Sequence, residues 1–496
     1  MAGLEDLRRA IGEIPLVDHH VHGVLVRDLS RREFEEALTE SDRPVPAWAT
    51  QFDSQLGFAV LRHCAPVLGL DPHPEPDAYL ARRAELGAEE AGRRLLAAAG
   101  VGRFLVETGH RAGELLGPSG MSALTGRPAD EIVRLEAVAE RVAAEGVGAA
   151  AFAAAFEAAL WERSRTARGL KTVAAYRCGL DFDPAPPSPG EVTAAAGRWL
   201  RRVERTGGTR LDDPVLVRHL VWTGVGRGLP LQFHTGYGDP DLDLRRADPL
   251  LLRGFAELAE PRGIPLLLLH CYPFHRGAGF LAQAYPHVFF DVGLGVHHTG
   301  ARAAAVVAES LELAPFAKIL FSSDACGPAE LHHLGALLWR RAMTRVLGGF
   351  VAEGEWSAEQ AVRVATMIGA ENARRVYGLG DGDSDGFGDG PGGGSGGSGD
   401  GPGGDSGGSG DGPGGDSGGS GDGPDGERPD RGRGPETGPR GSGVTRETAR
   451  AASSVSRGEA EQLLADLTDL SPVYLGEEAC TAPTPIGPRE ARREAG

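Results

Sequence analysis

Three apolar runs in the second half of the chain each end in a histidine or an aspartate. They are residues 229–234 (LPLQFH), 264–270 (IPLLLLH) and 318–324 (KILFSSD). Continuous apolar runs that are separated by helical lengths of chain are typical of parallel strands covered by helices on both faces. The chain must therefore build a parallel sheet, and the polar side chains must collect at the carboxyl ends of its strands.

Five further runs complete the set of predicted strands, at residues 14–22, 103–109, 132–136, 169–177 and 288–293. Eight strands with intervening helices predict an α/β fold of the (β/α)8 TIM-like barrel type. Residues 30–100 read as helical, which predicts a helical insertion after strand 1 that could cover the site. A doubly wound open sheet is the alternative. We favour the barrel because the polar ends of strands one, five, six and eight converge only if the sheet closes.

The first strand carries the sequence Val17-Asp18-His19-His20-Val21-His22-Gly23. Alternate residues of a strand share a face, so His20 and His22 should point the same way, with Asp18 behind them. His19 should point to the opposite face and pack there. Two neighbouring imidazoles can form half of a divalent metal site. A surface or capping role for the pair is the alternative.

The formal charge of −18 is unevenly distributed, because residues 381–440 contain 13 acidic residues and 4 arginines. The remainder has no basic stripe, so we expect no nucleic-acid binding. No apolar run is long enough for a membrane span. The 5 cysteines form no paired motif and no signal peptide begins the sequence, which together predict a reduced, cytoplasmic protein.

Near-copies of an 11-residue repeat (GPGGDSGGSGD) occupy residues 390–400, 401–411 and 412–422. Glycine, serine and aspartate offer nothing to bury, so the sequence predicts a disordered linker over 381–445. The predicted organisation is a barrel domain at 1–380, this linker, and a short tail at 446–496. Within the tail, residues 457–470 have the spacing of one amphipathic helix.

The ordered set of polar strand ends resembles the amidohydrolase superfamily, in its amidohydrolase-related (amidohydrolase 2) branch. Three segments also resemble the amidohydrolase half of proteins that are fused to a glutamine-synthetase-like domain. The 50-odd residues after the linker are too few for a synthetase domain, so this chain departs from that fusion. The residues that carry the resemblance are Asp18, His20, His22, Lys171, His234, His270 and Asp324, with residues 169–177, 234–240 and 322–325 around them.

The resemblance implies a divalent metal at the barrel mouth. His20, His22 and Asp324 would be ligands, and His234 would bind the same ion or a second one. Zinc is the ion most expected, manganese is a further option, and one or two ions fit the ligand set. Asp324 would move protons during catalysis, and His270 would either polarise the substrate or bind metal.

Lys171 and Arg177 each have two interpretations, and Tyr237 has one. Lys171 would be a carbamylated bridge between two metals, or it would form an ion pair with Glu107, Glu136 or Asp291. Arg177 would hold a substrate carboxylate with its planar guanidinium, or it would form a salt bridge at the barrel rim. Tyr237 lies three residues after His234 and is expected to bind substrate.

The resulting hypothesis is a metal-dependent amidohydrolase-type enzyme that cleaves a C–N bond in a small amide, one carrying a carboxylate in the narrower form of the hypothesis. A decarboxylase on the same scaffold is the first alternative. A non-catalytic scaffold that recruits a partner through the linker and tail is the second. The expected partner is a small-molecule substrate, with a homodimer as the default assembly.

Overall fold

The computed structural model describes residues 2–380, with side chains from residue 5 onward. The predicted linker at 381–445, the predicted tail at 446–496 and its amphipathic helix at 457–470 lie outside the described residues. Within residues 2–380, none of the helices combines the length and the apolar character needed to cross a membrane.

Seven parallel strands form one sheet, and their order in the sheet is their order in the chain. Most strand residues are buried, as expected for strands covered by helices, and the third strand is the most exposed of the seven. The strands are β1 (Leu16–Val21), β2 (Val101–Glu107), β3 (Ala129–Arg134), β4 (Gly169–Thr172), β5 (Leu231–Thr235), β6 (Leu266–His270) and β7 (Val288–Phe290).

An eighth segment, residues 319–325, closes the sheet. On one side the Leu320 amide donates to the Phe290 carbonyl of β7. On the other side the His19 amide donates to the Phe321 carbonyl, and the Asp324 amide donates to the His20 carbonyl, both on β1. The predicted (β/α)8 barrel is therefore confirmed, although the eighth position is an extended segment with isolated bridges instead of a regular strand.

Nineteen α-helical segments surround the sheet within residues 2–380. They are α1 (Ala2–Gly12), α2 (Arg31–Glu36), α3 (Gln55–Ala59), α4 (Ala65–Val67), α5 (Pro76–Leu86), α6 (Ala88–Ala99), α7 (Pro118–Thr125), α8 (Leu135–Ala144), α9 (Phe152–Arg163), α10 (Ala174–Arg177), α11 (Pro189–Thr206), α12 (Pro214–Arg227), α13 (Arg253–Ala259), α14 (His275–Ala284), α15 (Gly293–His298), α16 (Ala303–Ser310), α17 (Ala329–Ala352), α18 (Ala358–Thr366) and α19 (Asn372–Tyr377). π-helical turns at Val60–Cys64 and Met367–Glu371 continue α3 and α18.

The predicted insertion after strand 1 is present as helices α2 to α6. A buried polar cluster attaches it to the barrel, because the Tyr79 hydroxyl and the Arg83 guanidinium both donate to Glu330 Oε1 at 2.8 Å. Glu330 lies in the first turn of α17, shortly after the eighth segment. The insertion is thus joined to the helix that follows the carboxyl end of that segment.

The predicted fourth strand is wrong beyond Thr172, because residues 174–177 form α10 instead of extended chain. Glu136 explains the change of direction. Its Oε1 accepts hydrogen bonds from the Thr172 hydroxyl at 2.6 Å and from the Val173 amide at 3.0 Å. The buried Glu136 carboxylate thereby supplies a hydrogen-bond acceptor for one backbone amide and one side-chain hydroxyl at the point where the strand ends.

Candidate metal centre

Three side chains from different strand ends meet at the mouth of the barrel. His20 Nε2 lies 3.1 Å from Asp324 Oδ1, and His270 Nδ1 lies 3.3 Å from Asp324 Oδ2. One ligand atom from each of the three residues lies within 4.8 Å of the other two. Two histidine nitrogens and a carboxylate oxygen at this separation can bind one divalent ion.

His22 lies at the edge of this group. Its Nε2 is 3.6 Å from Asp324 Oδ1, and its Nδ1 is 3.3 Å from Glu107 Oε2. Glu107 is buried and pairs with Arg134, whose Nη2 lies 2.5 Å from Glu107 Oε2. The structure thus places His22 beside the ligand group, with Glu107 held behind it at the end of β2.

His234 lies on the other side of His270, with the two ring centroids 4.7 Å apart. The Tyr176 ring packs against it with a centroid distance of 4.6 Å. Gly238 makes this packing possible, because a Cβ there would lie 1.9 Å from Tyr176 Oη and 3.2 Å from His234 Nε2. His234 therefore lies beside the group of three without belonging to it. His270 belongs to the group, although the sequence left its role open between metal binding and substrate polarisation.

Lys171 projects from β4 into the same space, and its Nζ lies 3.2 Å from His20 Nε2. Burial lowers the pKa of Lys171 to about 8. Among residues 5–380 it forms no ion pair with a carboxylate. The three carboxylates considered from the sequence have other partners in the structure: Glu107 pairs with Arg134, Glu136 binds Thr172, and Asp291 binds His19. The lysine amine therefore faces the ligand group.

The protonation states of these residues suit a metal. Burial lowers the pKa of the His20, His22, His234 and His270 imidazoles well below the usual range, and neighbouring cations and histidines lower it further. Neutral imidazole is the form that binds metal. Burial also raises the pKa of the Asp324 carboxyl well above its usual range, so a nearby cation is needed to favour the carboxylate form that binds metal.

Several buried atoms at this site have no hydrogen-bond partner among residues 5–380, including both ring nitrogens of His270, Nε2 of His234 and Oδ1 of Asp324. Other buried atoms in the described part of the chain also lack a partner, but these lie together at the strand ends. Buried polar atoms without a partner are costly, and a species bound here would satisfy them. A divalent cation with nitrogen and oxygen ligands fits this set of donor atoms.

A set of buried hydrogen bonds orients the ligand residues. His20 Nδ1 donates to Gln232 Oε1 at 2.7 Å, which leaves Nε2 free to act as a ligand. The His270 amide donates to Asp291 Oδ1 at 2.9 Å. Asp18 accepts from the amide and the hydroxyl of Ser323, the residue before Asp324. Asp18 therefore holds the backbone next to Asp324, and its support of a metal site stays a prediction.

Sequence reasoning did not assign roles to Gln232 or to Asp291 as a positioning group. A signal for each existed, because Gln232 interrupts an apolar run and Asp291 ends the seventh run. Backbone strain also marks the site. His270, Cys271 and Asp324 have φ values of 68°, 57° and 51°, which non-glycine residues rarely adopt.

The two residues predicted to bind substrate lie at the rim. Arg177 Nη1 is 2.9 Å from Glu140 Oε1 on α8, so the salt bridge kept as the alternative is formed. The Tyr237 ring lies 5.5 Å from the His298 ring, and His298 Nε2 is 3.4 Å from Glu40 Oε1 of the insertion. Tyr237 therefore lies close to the point where the insertion meets the barrel.

Comparisons with known proteins agree with this geometry. The amidohydrolase family model matches residues 17–379. Over 229 residues the chain is 32% identical to Protein fluG of Emericella nidulans, a match that covers 42% of this chain and 25% of that protein. The chain therefore spans about a quarter of the length of this curated relative.

Two solved structures have a similar fold. A protein from Lactobacillus casei ATCC 334, described as a metal-dependent hydrolase, superposes with a TM-score of 0.67 and 28% identity, over 75% of this chain and 97% of that one. A uronate isomerase from Bacillus halodurans C-125 superposes with a TM-score of 0.53 and 16% identity, over 76% and 96% of the two chains, and shows the fold alone. The predicted family is confirmed, and the chain belongs to the amidohydrolase family of hydrolases.

Proposed function

We propose that this protein is a metal-dependent hydrolase that cleaves the C–N bond of a small amide. The observation that carries the proposal is the convergence of His20, His270 and Asp324, with buried atoms left unpartnered, at the carboxyl ends of the strands. Catalytic residues of this fold lie at that face of the barrel.

The metal would be held by His20, His270 and Asp324, with His22 and His234 on either side of them. Zinc suits nitrogen and carboxylate ligands, and manganese accepts the same set. When bound, the ion would supply Lewis-acid chemistry, which polarises a carbonyl oxygen and lowers the pKa of water.

Asp324 would act as the proton carrier. Its carboxyl is buried between the His20 and His270 imidazoles, at the centre of the proposed ligands. A positioned carboxylate can transfer a proton to or from a reacting group in the transition state. Asp324 would accept a proton from the attacking water and deliver it to the leaving nitrogen.

His234 and Tyr237 would position the amide. His234 Nε2 is buried and unpartnered beside His270, so it can meet a substrate atom or a second ion. Tyr237 packs against His298, which in turn contacts Glu40 of the insertion. A small substrate entering between barrel and insertion would pass Tyr237 before reaching Asp324.

The charges near Tyr237 bear on the substrate. Arg177 is expected from the sequence to hold a substrate carboxylate, but it pairs with Glu140. Glu40 contacts His298 beside Tyr237. Burial raises the pKa of Tyr237 and of Asp239, and the negative charge of Glu40 raises it further. We therefore favour a neutral or cationic group over a carboxylate at the outer end of the amide.

A matched series of acetamides would test the charge preference with metal-loaded protein. The probes are N-acetyl-1,4-diaminobutane, N-butylacetamide and 4-acetamidobutanoate, which differ mainly in the charge of the far end. We expect kcat/KM to be highest for the cationic member and Glu40→Gln to reduce that preference. Glu36→Gln, on the same insertion, is the matched control. A preference for the anionic member would contradict the proposed charge selection and leave hydrolysis itself intact.

A metal-dependent decarboxylase is the second candidate, favoured by one observation. The three closest ligand groups suffice for a single ion, and Lys171 contacts His20 alone among them. Elemental mass spectrometry of the protein and of Lys171→Ala would separate one ion from two. Release of CO₂ without an amine product would support decarboxylation, whereas hydrolysis by verified metal-free protein would overturn both candidates.

A further inference from the structure

A large concavity lies on the outside of the barrel, away from the candidate metal centre. It has a volume of about 990 Å³ and runs along α17 from Leu337 to Ala352. Helix α1, the π-helical turn Val60–Cys64 and the start of α16 form its other walls. We call this concavity the α17 groove. None of the proposed ligand residues lines it.

Most of the exposed surface of the α17 groove is apolar. Alanine and glycine residues line much of it, and Phe58 lies at its edge with 58% of its surface exposed. Covering an exposed phenylalanine and the concave apolar surface beside it with another apolar surface lowers the free energy of the protein. The groove therefore has the shape and chemistry of a docking site for an apolar face.

The charged residues around the α17 groove are mainly arginines. Arg8, Arg62, Arg341 and Arg345 are all exposed at its walls. Among residues 5–380, Arg62, Arg341 and Arg345 have no carboxylate partner, and Arg8 has only Glu5 at 3.8 Å. Burial lowers the pKa of Arg341, and repulsion by Arg62 and Arg8 lowers it further. An acidic partner would relieve this repulsion.

The chain itself contains a segment with the matching chemistry, residues 457–470 (RGEAEQLLADLTDL). Its apolar positions Ala460, Leu463, Leu464 and Leu467 have the i, i+3, i+4, i+7 spacing of one helical face. The same segment contains four acidic residues and one arginine. An acidic amphipathic helix would place leucines on the apolar floor and carboxylates beside the arginines.

The lengths also agree. The α17 wall from Leu337 to Ala352 is about 22 Å long, and a helix of residues 457–470 would be about 21 Å long, at a rise of 1.5 Å per residue. More than seventy residues separate Gly380 from Arg457. At a maximal span of ~3.3 Å per residue, that length reaches any face of the barrel.

We propose that the α17 groove binds residues 457–470 of the same chain as an amphipathic helix. The docked segment would contact the barrel and the insertion together, because Gln55 of the insertion also lines the groove. Gln55 Oε1 accepts a hydrogen bond from the Ala301 amide on the barrel side at 3.1 Å. The tail would thereby cover the seam where the insertion meets the barrel.

Photo-crosslinking of the full chain tests the proposal, with p-benzoyl-L-phenylalanine in place of the exposed Phe58. We expect an intramolecular crosslink to the tryptic peptide 458–489. The double variant Leu464→Asp, Leu467→Asp should lower its yield about tenfold, since burying a charge without a partner is unfavourable. The matched control Gln462→Asp, Ala465→Asp adds the same charge to the polar face and should retain the crosslink.

Charge exchange provides a second measurement. Arg345→Glu should lower the crosslink yield, and adding Asp466→Arg should restore part of it. Circular dichroism confirms that each variant is folded. Three results would each overturn the proposal. They are a crosslink between two copies of the chain, a crosslink that survives the leucine substitutions, and the absence of a crosslink to 458–489.

Discussion

His19 and His20 are neighbours on one strand, yet the regions they enter differ. His19 belongs to a closed network, because its Nε2 lies 3.0 Å from Asp291 Oδ2 and its Nδ1 lies 3.0 Å from the Tyr377 hydroxyl. His20 enters the open cluster at the barrel mouth, where buried atoms of His234, His270 and Asp324 lack partners. In the first region the protein itself supplies partners for the His19 ring, whereas in the second region a bound ligand would have to supply the missing partners.

The two aspartates repeat the contrast. Asp18 accepts two hydrogen bonds from Ser323, whereas Asp324 Oδ1 accepts none. Polar burial alone therefore does not identify a functional group in this protein. The two aspartates differ in whether the structure already supplies a partner, and a fully paired buried group stabilises whereas an unpaired one destabilises.

The largest expected effect is on catalysis by Asp324. Asp324→Asn removes the proposed proton carrier and keeps the size of the side chain, so kcat/KM for an amide substrate should fall roughly 10²–10⁴-fold. Steady-state kinetics on metal-loaded protein would measure this, with metal content determined in parallel. Unchanged kcat/KM at full metal occupancy would remove Asp324 from the proposed chemistry.

Substitutions of His19 and of His234 should have different effects on the free energy of unfolding. His19→Leu leaves Asp291 as a buried carboxylate without its imidazole partner, which should lower the free energy of unfolding by roughly 3–5 kcal/mol. His234→Leu removes an unpartnered buried nitrogen, so the metal-free protein should be unchanged or slightly more stable. Urea denaturation of both chelated variants would measure the difference. An equal loss of unfolding free energy in the two variants would show that His19 and His234 do not differ in how far the protein supplies their partners.

The pH dependence of stability should change with His19→Leu as well. Although burial raises it, the pKa of the Asp291 carboxyl is held below its usual range, first by the hydrogen bond from His19. A depressed folded pKa contributes stability above the unfolded value of ~3.9, and this is lost as the pH falls through the folded value. Urea titrations between pH 7 and pH 3 should show a weaker loss in the variant.

Asp18 gives a smaller effect that links the two regions. Asp18→Asn disturbs the hydrogen bonds that hold Ser323, and with it the backbone of Asp324. Groups that support a ligand in this way change metal affinity roughly 10–100-fold when substituted. Competition with a fluorescent chelator would measure the affinity. Ser323→Ala should give a similar but smaller loss, and wild-type affinity in both variants would contradict the supporting role.

The smallest effect concerns the packing of His234. Gly238→Ala would place a Cβ 1.9 Å from Tyr176 Oη. The overpacking should cost about 1–3 kcal/mol of unfolding free energy, and Tyr176→Phe should recover part of it by removing the hydroxyl. A double-mutant cycle from urea denaturation would measure the coupling. Additive losses would mean that the glycine does not make room for the tyrosine.

Much of the barrel could be predicted because its signals are local. An apolar run, its length and the residue that ends it are all visible in the sequence, so the strands that carry His20, His234, His270 and Asp324 were recognised. The partners of Arg177 and His19 were not, because Glu140 and Tyr377 are distant in sequence. Glu136 likewise ended β4 through a contact that no local pattern showed.

The Tyr377 hydroxyl has a consequence for how the site is made during synthesis. It accepts a hydrogen bond from Gln232 Nε2 at 2.7 Å and also contacts His19, although it belongs to the last described helix. Gln232 in turn orients His20. A ribosome that has produced all eight strand segments has therefore not yet supplied the group that fixes Gln232 and, through it, His20. Chains released before residue 377 should have a barrel in which His20, a candidate metal ligand, is not held in place.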